Sequence, residues 1–315
     1  MTIYLDSHLS DAERRQRLYA GDVFMYSPRP ATVAFTEFAR TLIEEAFAPL
    51  APEHAQASLP VERFVEIVAP LKPRFIHHPN TRALLLALLA DIGMDMEQTY
   101  FDVPRMRVAT SDNYLNAGVA YVLHPHRDIW YSSPPCQINW WLPVYPFESE
   151  SSFAFHPQYF DQVVPNSSNE YNHYEWNRVG RAQAAKEIKA DTRKQPKATV
   201  PLQLEPEVRL VCPPGGLLMF SGAHLHSTVP NTSGRSRFSV DFRTAQLDDL
   251  AAMNGAPTPD RACTGTTLFE LRKASDLTPV PDAVIRLYDP HPPDDGAGVV
   301  FTPQGGAMPA KSGAM

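Results

Sequence analysis

One nine-residue run constrains this chain more than any other: SRFSVDFRT, from Ser236 to Thr244. Arg237, Ser239, Asp241 and Arg243 alternate with Phe238, Val240 and Phe242. That period of two is the signature of an extended strand with one apolar and one polar face. An arginine turned into an apolar interior is costly unless it meets an anion. Its planar fork suits a carboxylate held by two parallel hydrogen bonds.

Matching strands are supplied by the rest of the second third of the chain. From Phe101 onward, short runs rich in aromatic and branched residues (RMRVATSDNYLNAGVAYVLHPH, CQINWWLPVYPF, SSFAFHP, EVRLVC, GGLLMFSG, HLHSTVP) are bounded by Pro, Ser and Gly. The first hundred residues instead space their apolar side chains three and four apart, over 32–50, 61–71 and 80–94, and predict helices. Thirty-one prolines argue for loops and turns over a helical bundle. The expected fold class is therefore α+β, an antiparallel sandwich or barrel with helices gathered at the N-terminal side. Residues 1–100 form a mainly helical region packed on the barrel, and 101–244 its core. A polar, helix-prone insertion interrupts the core at about 161–198. An extension at 245–289 and a disordered tail at 290–315 complete the map.

A net charge of −7 gives no general attraction to nucleic acid or anionic membranes. The most apolar run, residues 82–93, is too short to span a bilayer, and the first residues lack the apolar stretch of a secretory signal. Cys136, Cys212 and Cys263 are widely spaced, which speaks against a disulfide framework or a cysteine zinc site. The sequons at Asn166 and Asn231 carry no weight without secretion. A reduced, cytoplasmic protein acting on a small molecule is expected, with no nucleic-acid or membrane partner. Its oligomeric state is open.

Within YVLHPHRDIWYSS, His126 and Asp128 lie two apart, on one face of an extended segment. An imidazole and a carboxylate would converge there as adjacent metal ligands. His224 and His226 offer a third ligand from another strand. Two histidines and one carboxylate with open positions describe a facial triad for non-haem iron, although zinc accepts the same donors. Arg237 follows His226 by eleven residues.

This order, H-x-D at His126 and Asp128, a distal His226, then Arg237, resembles the Fe(II)/2-oxoglutarate-dependent dioxygenases, and among them the phytanoyl-CoA-dioxygenase-like branch. PPGGLLMFSGAHLHS resembles the glycine-containing strand that precedes the distal histidine in that family, and SSFAFHPQYF stands where the family has a Gly-Ser-His turn. The resemblance covers residues 101–244. It implies a double-stranded β-helix of the jelly-roll or cupin kind, with Fe(II) held by His126, Asp128 and His226. It further implies 2-oxoglutarate as co-substrate and O2 as oxidant, with succinate and CO2 released as a small, polar metabolite is hydroxylated or otherwise oxidised. Arg237 would hold the far carboxylate of 2-oxoglutarate, with Gln137, Asn139 and Ser239 near it. Asp128 stands where halogenating members carry a small residue, which favours oxygenation. His156-Pro157-Gln158-Tyr159 departs from the usual turn, and that places the substrate in question.

Several alternatives stay open at this level. His124 competes with His126, His224 with His226, and Arg243 with Arg237. Gln137 and Asn139 could equally face water. Trp130 and Tyr131 are pocket wall or plain core, and Arg105 and Arg107 read adequately as surface salt bridges. His156, His173, Tyr174 and Trp176 fall in the turn and in an insertion that could be a lid. A cupin-like barrel binding zinc for hydrolysis or isomerisation would use the same three ligands, and a metal-free binding protein would keep only the barrel.

Overall fold

The computed structural model describes residues 1–121, 124–180, 188–189, 194–293 and 298–301. Four helices gather in the first hundred residues: α1 (Asp11–Tyr19), α2 (Pro30–Phe47), α3 (Val61–His77) and α4 (Pro79–Asp91). Helix α1 opens with a reciprocal cap in which Ser10 and Glu13 satisfy each other's backbone N–H groups. Helix α3 outruns its expected end near residue 71 and passes through Pro70 and Pro73. Both prolines are exposed, while Phe64, Val68, Leu71 and Phe75 bury one continuous stripe that holds the helix together past the missing N–H groups.

Among the described residues, eleven strands make two sheets. Those before residue 145 are β1 (Ile3–Leu5), β2 (Val23–Tyr26), β3 (Thr99–Phe101), β4 (Arg105–Ala109) and β5 (Ile138–Pro143). They are followed by β6 (Phe153–Phe155), β7 (Val208–Arg209), β8 (Leu217–Ser221), β9 (His226–Thr228), β10 (Arg237–Gln246) and β11 (Arg272–Lys273). The large sheet runs β1-β2-β8-β5-β10-β3-β11, with β4 also paired to β10, and the small one runs β7-β6-β9. Because β2 pairs with β8, the N-terminal region is woven into the large sheet as well as packed on it.

The two sheets face each other across an aromatic layer. Trp141 of β5 meets Phe153 of β6 at 5.2 Å between ring centroids, and Phe155 meets Phe220 of β8 at 5.0 Å. The other face of the large sheet packs on the helices, where Phe242 meets Phe35 of α2 and Phe238 meets Phe47. Burial on both faces explains the near-continuous apolar runs of β5 and β8. The architecture is α+β, as expected. The closed barrel is not present among the described residues, where no strand is shared by the two sheets.

One further expectation is revised. Among its described residues, the long run ending at His126 yields strand only at Arg105–Ala109. It then turns at Asp112 and Asn113, both at positive φ, a conformation their short polar side chains tolerate better than most. The insertion is expected to be helix-prone. Its described part holds only a turn at Ser168–Glu170, one at His173–Glu175 and a π-turn at Trp176–Gly180. Residues 181–187 and 190–193 of the insertion, and 294–297 and 302–315 of the expected tail, lie outside the described residues.

Candidate metal centre

Backbone pairing builds the centre. His126 and His226 exchange both N–H···O=C bonds, 3.0 Å each way, in an isolated antiparallel bridge that continues the small sheet past β9. Residues so paired carry their side chains to the same side, and the two rings lie 4.3 Å apart between centroids. Arg127 is extended, so Asp128 returns to the face of His126 before a short 3-10 turn begins. The Asp128 N–H is fixed by the Gly222 carbonyl at 2.9 Å. Nε2 of His126 and of His226 lie 3.4 and 3.9 Å from the same Asp128 oxygen, Oδ1. One ligand atom from each residue falls within 4.8 Å of the others, the only such three-residue group among the described residues.

The outer nitrogens of the two rings are held alike. Nδ1 of His126 lies 2.8 Å from the His124 carbonyl, and Nδ1 of His226 lies 3.0 Å from that of His224. A carbonyl only accepts, so each Nδ1 carries the proton and each Nε2 presents its lone pair to the shared point. Burial, then the neighbouring His126, pushes the His226 pKa down to about 4 and keeps it neutral. Burial opposes ionisation of Asp128, but His126, His226 and Arg243 outweigh it and hold the carboxyl well below its usual range. A neutral His226 imidazole and an ionised Asp128 carboxylate suit metal ligation.

These ligands open onto a cavity with about 150 Å³ of water-accessible space, floored by the polar face of β10. Arg237 lines it. Burial lowers the Arg237 pKa to about 10, and its guanidinium donates to the Ser151 carbonyl at 2.6 Å, while Nε has no hydrogen-bond partner. Two residues on, the buried Ser239 Oγ also lacks a partner and lines the same cavity. Arg243 differs, because Asp241 and Asp102 flank it at 3.2 and 3.4 Å. Of the two arginines, Arg237 is the one with no carboxylate at ion-pair distance among the described residues.

Gln137 and Asn139 also fall at the site. The Gln137 amide donates to Asp128 Oδ2 at 3.2 Å and to Asn139 Oδ1 at 3.0 Å, and Asn139 lines the cavity. Arg105 is not a surface pair, whereas the Arg107 side chain is 42% exposed and fits a salt bridge at the cavity's edge. Arg107 grips Asp241 through Nε and Nη2 at 2.6 and 3.2 Å on the cavity wall. Arg105 bonds Asp102 and Glu270, both nearly inaccessible to water. Three arginines and three carboxylates thus form one charge-balanced ladder behind the cavity.

The rival histidines take other places. His124 is exposed and contributes its carbonyl. His224 is enclosed by Phe155 and Phe160, and burial drives its pKa down to about 3. Tyr131 sets its ring edge against His126 at 5.4 Å, whereas Trp130 is core and donates to Asp260 at 3.0 Å. His156 is buried and reaches Ser227 Oγ at 3.0 Å. His173, Tyr174 and Trp176 do not line the cavity.

Arg127 was overlooked in the sequence. It points away from its ligating neighbours and is fully buried, bonded to the carbonyls of Tyr159, Phe160, Gln162 and Ala223 and to Asp260 at 3.3 Å. Backbone acceptors leave no trace in composition. The one available signal was period two, which turns residue 127 opposite to 126 and 128.

No protein-family model matches the chain, and no curated protein matches it. Among solved structures, the apo form of ThoJ, a non-heme monooxygenase, aligns at 13% identity over 75% of this chain and 78% of its own, with a TM-score of 0.39. EvdO2 from Micromonospora carbonacea var. aurantiaca, complexed with 2-oxoglutarate, aligns at 13% over 76% and 92%, with a TM-score of 0.42. The epimerase SnoN, in complex with Fe3+, alpha ketoglutarate and nogalamycin RO, aligns at 14% over 82% and 98%, with a TM-score of 0.38. Likenesses this distant carry no residue's role over to this chain.

Proposed function

We propose that the protein is a non-haem Fe(II)/2-oxoglutarate-dependent oxygenase that hydroxylates or otherwise oxidises a small, polar metabolite. The carrying observation is the pairing of two features in one cavity. Nε2 of His126, Nε2 of His226 and Asp128 Oδ1 converge on a point, and the partnerless Arg237 Nε and Ser239 Oγ wait on the same wall. We read the two facing sheets as an open form of the double-stranded β-helix. The phytanoyl-CoA-dioxygenase-like branch remains our assignment within the superfamily.

The donor set fits Fe(II), which accepts imidazole and carboxylate together. The partnerless Arg237 Nε and Ser239 hydroxyl fit a carboxylate, which would satisfy both. Bound there, Fe(II) with 2-oxoglutarate supplies the activation of O2 that oxidises a C–H bond, with release of succinate and CO2. The chain's own contribution is positioning. The His124 and His224 carbonyls fix each imidazole in its ligating tautomer. Arg237 and Ser239 orient the dicarboxylate. Trp141, Phe153 and Phe220 wall the cavity with apolar surface that excludes water. Asn139, Asp241 and Arg107 leave polar groups for the substrate, which is the basis for calling it polar.

The test is anaerobic titration of the metal-free protein with Fe(II), with and without 2-oxoglutarate, following the weak visible charge-transfer band of the chelate. The band is expected with the wild type, absent in Asp128→Ala, and shifted to at least tenfold higher 2-oxoglutarate in Arg237→Ala. A protein that forms no band but retains zinc tightly would instead be a hydrolase or isomerase of the cupin kind.

A further inference from the structure

Asp128 has two oxygens, and only one faces the histidines. Oδ1 lies 3.4 and 3.9 Å from the two Nε2 atoms, while Oδ2 accepts from the Gln137 amide at 3.2 Å. Both hydrogens of that amide nitrogen are used, the second on Asn139 Oδ1 at 3.0 Å. Gln137 is only 6% exposed, so this contact is a built one.

The backbone shows how it is built. Gly222 donates its N–H to the Gln137 carbonyl and accepts from the Asp128 N–H, standing between the two residues. A Cβ on Gly222 would come within 3.3 Å of Gln137 Nε2 and 3.4 Å of Asp128 Cβ. A methyl group there presses on the Gln137 amide and only touches Asp128.

We propose that Gln137 is a positioning residue that confines Asp128 to one-oxygen ligation, so that a chelating co-substrate finds two adjacent positions free. This rests on the oxygenase reading above. A carboxylate with both oxygens unengaged can swing to grip a cation through both, taking a position the co-substrate needs. A neutral amide that engages Oδ2 prevents this without adding a charge that would compete for the metal. Leucine, of similar size, removes the donor and frees Oδ2.

The experiment uses the full chain as wild type, Gln137→Leu and Gly222→Ala, with Co(II) as the metal probe and Fe(II) for the chelate. Thermal melting of each metal-free protein first establishes that it is folded. Co(II) affinity is then measured by titration, the intensity of the Co(II) visible bands reads the coordination number, and the anaerobic Fe(II) band gives the 2-oxoglutarate Kd. Both variants are expected to keep Co(II) affinity within threefold, to change the Co(II) band intensity, and to bind 2-oxoglutarate at least tenfold more weakly. Two results would overturn the proposal: a 2-oxoglutarate Kd within twofold of the wild type, or a loss of Co(II) and 2-oxoglutarate affinity in equal proportion, which marks mere misplacement of Asp128. Wild-type protein that takes up no metal would fail the oxygenase reading and this proposal together. Normal chelation by the wild type beside an unaffected Gln137→Leu fails the Gln137 role alone.

Discussion

At the scale of single residues, the centre concentrates side chains whose protonation differs from that in an unfolded chain. His224 and His226 ordinarily titrate near 6.5, but burial brings them to about 3 and about 4 in the folded protein. Between pH 6.5 and 4 the unfolded chain therefore binds more protons than the folded one, so stability rises with pH and is lost on acidification. Each histidine contributes on the order of 3 kcal/mol to that loss by pH 4. Asp128, held below its usual range, does not offset it: near pH 4 the unfolded carboxyl takes up protons that the folded one refuses, which adds to the loss. Denaturant melts of the metal-free protein should show stability falling steadily from pH 6.5 to 4. His224→Asn, whatever its effect at neutral pH, should flatten that slope by roughly half. An unchanged slope would mean that His224 takes a proton in the folded state.

At the scale of elements, the clip centred on Arg127 carries the clearest expectation. It ties the ligand-bearing segment to residues 159–162, and through Asp260 to Trp130 and the backbone of Val164. Arg127→Leu leaves the buried Asp260 without its counter-charge and removes the side-chain donor to four carbonyls, and should cost about 3–5 kcal/mol in urea unfolding. A loss under 1 kcal/mol would show that water replaces the guanidinium there. Legibility in the sequence divides along similar lines. Helices α2 to α4 and strands β5, β8 and β10 were readable because each has a long apolar pattern with a definite period. Strands β1 and β2 escaped notice: three or four residues beside a charged helix hold no period, and only their pairing in the sheet makes them strands. His126, Asp128, His226 and Arg237 were named because their spacing carries information. Arg127 and the role of Arg105 were not legible, since their partners are backbone carbonyls or distant carboxylates.

For the whole molecule, the division at residue 100 does not mark a separable unit. Strands β1 and β2 extend the sheet beside β8, and Phe35 and Phe47 cover Phe242 and Phe238 behind the candidate metal centre. The full chain should melt in a single calorimetric transition. A chain beginning at residue 101 would expose that aromatic face and should be insoluble or molten. Two separated transitions, or a soluble and cooperative shorter chain, would contradict this. Among the described residues no helix is long and apolar enough to cross a membrane.

The mutual backbone bonds of His126 and His226 join positions a hundred residues apart. An ion seated between their rings is therefore a reversible cross-link closing a loop of that length. Because it would bind the folded chain and not the unfolded one, it would stabilise the fold by mass action, by about 2.7 kcal/mol when the free ion stands at a hundred times its Kd. Loading would then mature the fold as well as prepare the chemistry. Chelation would release a looser molecule, and a nascent polypeptide would have no grip on metal until residue 226 had left the ribosome.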